Sequence, residues 1–506
     1  MTQAAIGYLR RQYLCVLRRC AAHNAMLTVG ACLVGGGALA QGITPDGRTQ
    51  TQVTVNGTTT DISTQTVRGS SAFNSFQRFN VDSGHTVNMH LPGQTSHLLN
   101  LVHGERSYIN GLLNAYQNGQ IGGHVYFLNP HGVIVGQQGV LNVGSLTVTT
   151  PTTDFMNRLI SPLGLIDPAA TAQVLAGQVP LSQTGLIRVQ GRVHAAQAAT
   201  LAGAQVDIAS GAQVLAGGAA KVAFGHLVNI DQVGMATNVS MEGGVVRLLA
   251  SGNVDVAGRV SADGSGANAN GGTVLVMADQ KATLHSGAVV SANAGGSGDG
   301  GFVEFSARRE VELAGGSLQA TATQGTAGSV LIDPENITVS ADLLRSSGGN
   351  ASGGGISWDA GSLTLQADER VSVADGVVIS TRQVAGGTRN DHINGNSTGD
   401  SGDLTLKAAH IELGNGSMLL AHGNNGHQGG DVSLIASDIN AIGAVRSADA
   451  SITATNATIT GHDVTLRANA DTSAIVTLPG CLSSRLAFRY SRNVVVGMLW
   501  NAKWSK

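Results

Sequence analysis

Gly271–Ala278 reads GGTVLVMA, and Gly300–Ala307 reads GGFVEFSA. Each opens on a glycine pair, alternates inward and outward positions, and closes on alanine. That alternation is the period of a strand, because successive side chains point to opposite faces. The template apolar-x-apolar-x-Ala recurs at Val246–Ala250, Val274–Ala278, Val303–Ala307, Leu363–Ala367, Leu404–Ala408, Val432–Ala436 and Val464–Ala468. The starts are 28, 29, 60, 41, 28 and 32 residues apart, and an imperfect copy at Val330-Leu331-Ile332 splits the 60 into 27 and 33. Such a unit cannot bury its apolar face alone; stacking on its neighbours does so. Parallel stacking sets equivalent strands about 4.8 Å apart. The expected fold is therefore all-β, a right-handed parallel β-helix, with the recurrent alanine at a tight corner. With ~20 residues per coil, it would hold ~22 coils in a rod of ~100 Å. An antiparallel sandwich is disfavoured by the even spacing and by a lack of two-residue Asn-Gly turns between adjacent strands.

Composition agrees. Of 506 residues, 70 are glycine, 12% are charged and 4% aromatic, while 42% are hydrophobic. A core of Val, Leu, Ile and Ala is possible, but helical bundles, coiled coils and charged disordered chains are excluded. The net charge of −3 is segregated: residues 1–40 carry +4, residues 481–506 carry +5, and the body carries −12. No basic stripe with interleaved aromatics exists, so no nucleic-acid partner is expected. The four cysteines stand at 15, 20, 32 and 481, which leaves the body without a disulfide framework or a cysteine metal site.

Residues 1–40 read as an export signal. Arg10, Arg11, Arg18 and Arg19 form an extended basic region, an apolar run spans Ala25–Ala40, and Ala38-Leu39-Ala40 precedes Gln41 as a cleavage pattern. Cleavage is expected between Ala40 and Gln41. Residues 151–185 hold four of the nine prolines and interrupt the strand pattern. Asp167-Pro168 reads there as a helix cap and first helical position, so a short helix outside the rod is expected.

The most specific stretch is Val125–Thr149, VYFLNPHGVIVGQQGVLNVGSLTVT. Asn129-Pro130-His131-Gly132 is a turn by its chemistry: asparagine opens it, proline sets φ, glycine closes it. Phe73, Phe76, Phe79-Asn80-Val81, Asn100-Leu101-Val102 and Ser107–Gly111 stand upstream. Gly136, Gly139, Asn142-Val143-Gly144 and Leu146 follow, with Leu331-Ile332-Asp333-Pro334 farther on. Together these resemble the two-partner secretion domain and rod of filamentous haemagglutinins, across about 42 to 470. The family's N-P-N-G-I appears here with His131 at its third place and Val133 at its fifth. Its second short motif, N-P-N-L, is not recognisable.

The resemblance implies passage by the Sec machinery, then recognition by an outer-membrane Omp85-type transporter with POTRA domains, and folding outside the cell. An exposed strand edge near the N-terminus is a place where such a partner pairs by β-augmentation. It further implies an adhesin at the cell surface or released from it, acting on a host or neighbouring-cell surface, non-catalytic and without cofactors. The expected division is 1–40 signal, 41–205 secretion domain with an N-terminal cap, 206–478 rod and 479–506 tail. Asn129, Pro130, His131, Gly132 and Val133 are expected to carry folding and export, with Asn100, Ser107 and Gly111 beside them. Phe73, Phe76 and Phe79 are expected to pack the N-terminal end. Ile109, Leu112, Leu113 and Tyr116 have helical spacing where the family has strand at Ser107–Gly111; the conformation of 112–118 stays open.

Other chemistry is thinly supplied. His422 and His427 flank a Gly/Asn turn and read as solvated rather than as a metal pair. Gly295–Val303 is similar to a calcium nonapeptide with its aspartate, Asp299, one place early. Asp255, Asp263, Asp279 and Asp299 are the acids that an alternative, an extracellular β-helix polysaccharide lyase or hydrolase, would use, but they fall at different phases of the repeat. Residues 479–506 depart from the body, with Cys481, five basic residues, Trp500 and Trp504. They read as a truncation or frameshift scar, with a basic membrane-touching segment as the second reading. The full exoprotein is accordingly expected to be longer.

Overall fold

The computed structural model describes residues 42–225, 242–326, 328–345, 356–358, 362–437, 449–469, 473–483, 486–488 and 494–496. The cleavage site expected at Ala40–Gln41 lies outside them.

The chain is a parallel β-helix. Each regular coil contributes three strands, as in Val245–Ala250, Asn253–Val256 and Arg259–Ser261. Each strand pairs in parallel with its equivalent one coil on: Val246 with Val274, Val254 with Ala282, Val260 with Val290. Inward residues alternate with outward ones along every strand. The inward ones stack into one continuous core of Val, Leu, Ile and Ala. Valine and isoleucine suit these positions because their branched side chains pack well on a pleated surface.

The coil is larger than the sequence suggested. Phe73 pairs with Leu99, Leu99 with Tyr126, and Val274 with Val303, which are steps of 26, 27 and 29 residues. Loops between the three strands account for the excess over twenty. One ladder runs from Ser107–Ile109 to Val494–Val496 and has 13 strands. The stack along it is therefore about 60 Å, not ~100 Å. Past 478, Leu482–Ser483, Leu486–Phe488 and Val494–Val496 pair in parallel with the preceding coil, one on each ladder.

The recurrent alanines do sit at a corner. Ala250, Ala278 and Ala307 pair in register, as do Ala408, Ala436 and Ala468. All six are buried at strand ends, where a larger side chain would crowd the bend. The aspartate before several copies caps the next coil. Asp403 Oδ1 accepts the Asp431 N–H at 2.9 Å, and Asp431 Oδ1 accepts the Asp463 N–H at 3.1 Å.

Antiparallel strands close the N-terminal end. Thr51–Asn56 and Thr59–Thr64 form a hairpin whose second strand joins the parallel ladder through Thr86–Leu91. Thr51–Asn56 is the outer strand of that ladder. Ile43–Pro45 runs antiparallel to Ser71–Phe79 with a register shift opposite Gln77. This bulge turns Phe76 and Phe79, three residues apart, into the same core. A two-residue Asn-Gly hairpin also exists, contrary to the reading above. Asn118 (φ 53°) and Gly119 (φ 78°) join Leu112–Gln117 to Gln120–Ile121. Leu112–Gln117 is strand, held between Thr86–Leu91 and Val140–Asn142. Parallel neighbours on both sides override its helical spacing.

Residues 151–185 leave the rod, and Leu146 pairs directly with Ala199 across the detour. The helix expected after Asp167 spans Pro168–Leu175, with the Asp167 carboxylate accepting the Ala169 and Ala170 N–H groups. A second helix, Thr153–Leu159, capped by Thr152, was not read from the sequence. Both lie on an apolar patch of Phe73, Leu99, Leu101, Tyr126 and Leu128, which face away from the rod interior.

Candidate functional site

The turn at Asn129–Gly132 follows the strand His124–Leu128 and leads into Val133–Val135. The Gly132 N–H donates to the Asn129 carbonyl at 3.0 Å, which closes a β-turn. Asn129 is fully buried. Its Oδ1 accepts the His131 N–H at 2.9 Å, and its Nδ2 donates to the Glu105 carbonyl at 2.8 Å and to Ser107 Oγ at 3.0 Å. Its main-chain N–H donates to Thr149 O at 3.1 Å. One side chain thus ties the turn to the coil before, while its backbone reaches the coil after.

The neighbours complete the connection. Pro130 is buried and its carbonyl accepts Ser182 Oγ at 3.2 Å, which pins the end of the helical detour onto the turn. Gly132 has φ 101°, and a Cβ there would collide with the Leu186 carbonyl of the next coil. Only glycine meets both demands. Val133 is buried between Ser107 and Ile187 in the parallel ladder. His131 differs: its side chain is exposed, and only its main chain is used, the N–H donating to Asn129 Oδ1 and the carbonyl accepting Arg106 Nε at 3.0 Å. The departure from asparagine at this place therefore costs the turn nothing. His131→Asn is expected to change stability by less than about 0.5 kcal/mol and to leave secretion unchanged. A culture-supernatant assay beside a urea melt checks both, and a clear drop in either would give the imidazole a role.

The other expected residues divide. Ser107 is buried against Asn129. Gly111 packs where a Cβ would strike the Asp82 and His85 carbonyls. Asn100 lies one strand away, buried, donating to Tyr126 O at 3.2 Å and accepting Asn74 Nδ2 at 3.0 Å. Phe76 and Phe79 pack edge to face with centroids 5.1 Å apart, and Phe79 meets Phe127 at 5.2 Å. Phe73 is not with them; it lies in the separate cluster under the two helices.

Sequence reasoning missed a polar ladder. His194 Nδ1–H donates to Asn142 Oδ1 at 3.1 Å, Asn142 Nδ2 to Asn114 Oδ1 at 2.9 Å, Asn114 Nδ2 to Asn88 Oδ1 at 3.2 Å, and Asn88 Nδ2 to Asp61 Oδ1 at 3.2 Å. All five residues are in register on successive strands. Every amide donates the same way, so the chain of dipoles ends on a carboxylate, the arrangement that strengthens each bond. The spacing of Asn88, Asn114 and Asn142, at 26 and 28 residues, was the available signal. Burial, then the Arg192 charge, lowers the His194 pKa to about 4, so the ring stays neutral.

The acids considered for catalysis make bonds between neighbouring coils. Asp279 is paired with Arg308 at 2.6 Å, and Asp255 lies 3.2 Å from His285. Asp263 accepts from Ser261, Ser291 and the Asn293 N–H. Asp299 accepts the Thr326 N–H at 2.7 Å. His422 Nδ1 meets Thr460 Oγ1 at 2.8 Å, and His427 lies 3.7 Å from Asp400. The arrangement around Asn129 therefore does structural rather than reactive chemistry: it registers three successive coils and one detour.

A parallel β-helix with an antiparallel N-terminal closure and a buried Asn-Pro turn defines a stacked rod of repeats. Residues 41–256 match the family model of the TPS secretion domain. The matched stretch takes in the N-terminal closure, the Asn129 turn and the first regular coils, and it likens this part of the chain to the secretion domain of two-partner secretion exoproteins. Among solved structures the chain is similar to the HMW1 secretion domain from Haemophilus influenzae, at 16% identity and a TM-score of 0.45, covering 89% of this chain and 98% of that one. No curated protein matches the chain.

Proposed function

We propose that this exoprotein is an adhesin. It would leave the cell through its Omp85-type transporter and act without catalysis, by presenting the rod surface to a host or neighbouring cell. The TPS secretion domain over residues 41–256 is the observation that carries the export half of this reading. The adhesive half is supported by the rod itself, whose outward positions carry serine, threonine and paired charges. The turn at Asn129–Val133, with Ser107 and Gly111, would serve export by fixing the first coils that form outside the membrane. Burial of core surface in those coils makes return unfavourable. The open strand Thr51–Asn56 is the edge on which a transporter domain would pair.

The test is expression in a Gram-negative host with and without the transporter, followed by a cell-binding screen of the released protein. Transporter-dependent release of a protease-resistant chain that binds epithelial or bacterial cells is the expected result. Release without binding to any surface would leave the export class and remove the adhesin. Turnover of acidic glycans by the released rod would replace it with an enzyme.

A further inference from the structure

The ladder that begins at Ser71–Phe79 carries apolar residues on its outward face in two places. Near the N-terminal end, Leu99 and Tyr126 lie under the two helices of the detour. The same outward row continues in register through two threonines to Arg247, Leu275 and Glu304 on three adjacent strands. Around Leu275 the setting is apolar again. Met277 is 42% exposed, and Val245, Leu275 and Phe302 are partly exposed. Single apolar side chains on a surface are ordinary, but four together on three neighbouring strands form a patch. Among the described residues none of the four belongs to an apolar core of the rod.

The charges within the patch are uncommitted. Arg247 and Glu304 stand one coil on either side of Leu275, about 10 Å apart. Among the described residues neither side chain has an ion-pair or hydrogen-bond partner. Charges elsewhere on these coils are paired, Asp279 with Arg308 and Lys281 with Glu312.

This pattern is complementary to itself. A two-fold axis laid along the strand Thr273–Ala278 reverses the order of the coils and keeps the order along each strand. A second copy turned about that axis and stacked about 10 Å above the sheet sets its Arg247 over Glu304 and its Glu304 over Arg247. Val245 and Phe302, in register on either side of Thr273, exchange in the same way. Leu275 and Met277 lie on the axis and meet their own counterparts.

We propose that this face joins two copies of the chain into a two-fold dimer with antiparallel rods. A contact of this kind uses the same patch on both copies and closes on itself, so it gives a dimer and not a fibre. The charges select the occupant. A purely apolar surface laid on the patch would bury Arg247 and Glu304 without partners, which is costly. A second copy supplies the opposite charge to both.

The experiment is sedimentation of the purified full chain from ~1 to ~100 µM. Dimer is expected to grow with concentration and to weaken at high salt. Arg247→Glu sets glutamate against glutamate in both pairs, and Glu304→Arg sets arginine against arginine. Each variant alone should dissociate roughly tenfold more readily or worse. An equal mixture of the two restores both opposite pairs, so it should associate like the parent chain. That recovery also shows that both variants are folded. A parent chain that stays monomeric throughout, variants that dimerise as the parent does, or a mixture no better than either variant alone would each overturn the proposal. A monomeric parent whose cell binding is lost in Leu275→Asp would give the patch to a foreign surface instead.

Discussion

Gly132→Ala together with Asn129→Ala is expected to abolish secretion while leaving synthesis intact. An alanine at φ 101° is strained, and its Cβ collides with the Leu186 carbonyl of the next coil. Removing the Asn129 side chain leaves the buried Ser107 hydroxyl and the Glu105 carbonyl without their donor. Strain of about 1–3 kcal/mol and lost buried hydrogen bonds of similar size add to roughly 2–6 kcal/mol. In a stacked array that loss falls on a few neighbouring coils rather than being spread over the chain. The expected readouts are protease sensitivity within the secretion domain, a lowered urea midpoint, and retention of the chain in the periplasm. Each single variant should show the same direction with a smaller effect. Normal secretion of the double variant would remove the turn from any export role.

Acid should loosen the rod well before ordinary carboxylates protonate. His103, His124, His194, His392 and His422 each have a pKa lowered to about 4, in every case first by burial. The Arg48 charge adds to this at His103, His97 at His124, and Arg382 at His422. In the unfolded chain these rings take up protons near 6.5. The unfolded state therefore binds more protons between 6.5 and 4, and stability falls as pH drops through that window. It is complete above 6.5. Each histidine contributes up to about 1.4 kcal/mol per pH unit, less where the side chain is only partly buried, as at His422. Urea midpoints measured from about pH 7.5 down to about pH 4.5 should fall steadily below 6.5. His194→Gln should flatten that slope by close to one proton, and a flat profile for the parent chain would contradict the buried neutral rings.

Much of the fold was legible because it repeats. Alternation in Val274–Ala278 and its copies sets strand, fixed spacing sets stacking, and alanine sets the corner. Those features are local, and each copy reinforces the others. The Asn129 turn was legible for the same reason: asparagine, proline and glycine have conformational preferences that operate within four residues. The coil length was not legible, because the loops between the three strands carry no apolar pattern to count. Leu112–Gln117 stayed open because its helical spacing competes with what makes it strand, Thr86–Leu91 on one side and Val140–Asn142 on the other. Phe73 could not be separated from Phe76 and Phe79 without the bulge at Gln77 and the helices beyond it.

By itself the sequence determined a stacked parallel rod, a helical detour after Asp167 and a turn at Asn129, because period, capping and turn chemistry act over neighbouring residues. Only the tertiary structure decided which distant groups meet across a coil step. It placed Asn129 against Ser107 and Gly132 under Leu186, and joined Asp61 to His194 through three asparagines. Those contacts depend on register between coils. Register is set by how the whole core packs, and no segment of the chain holds that information alone.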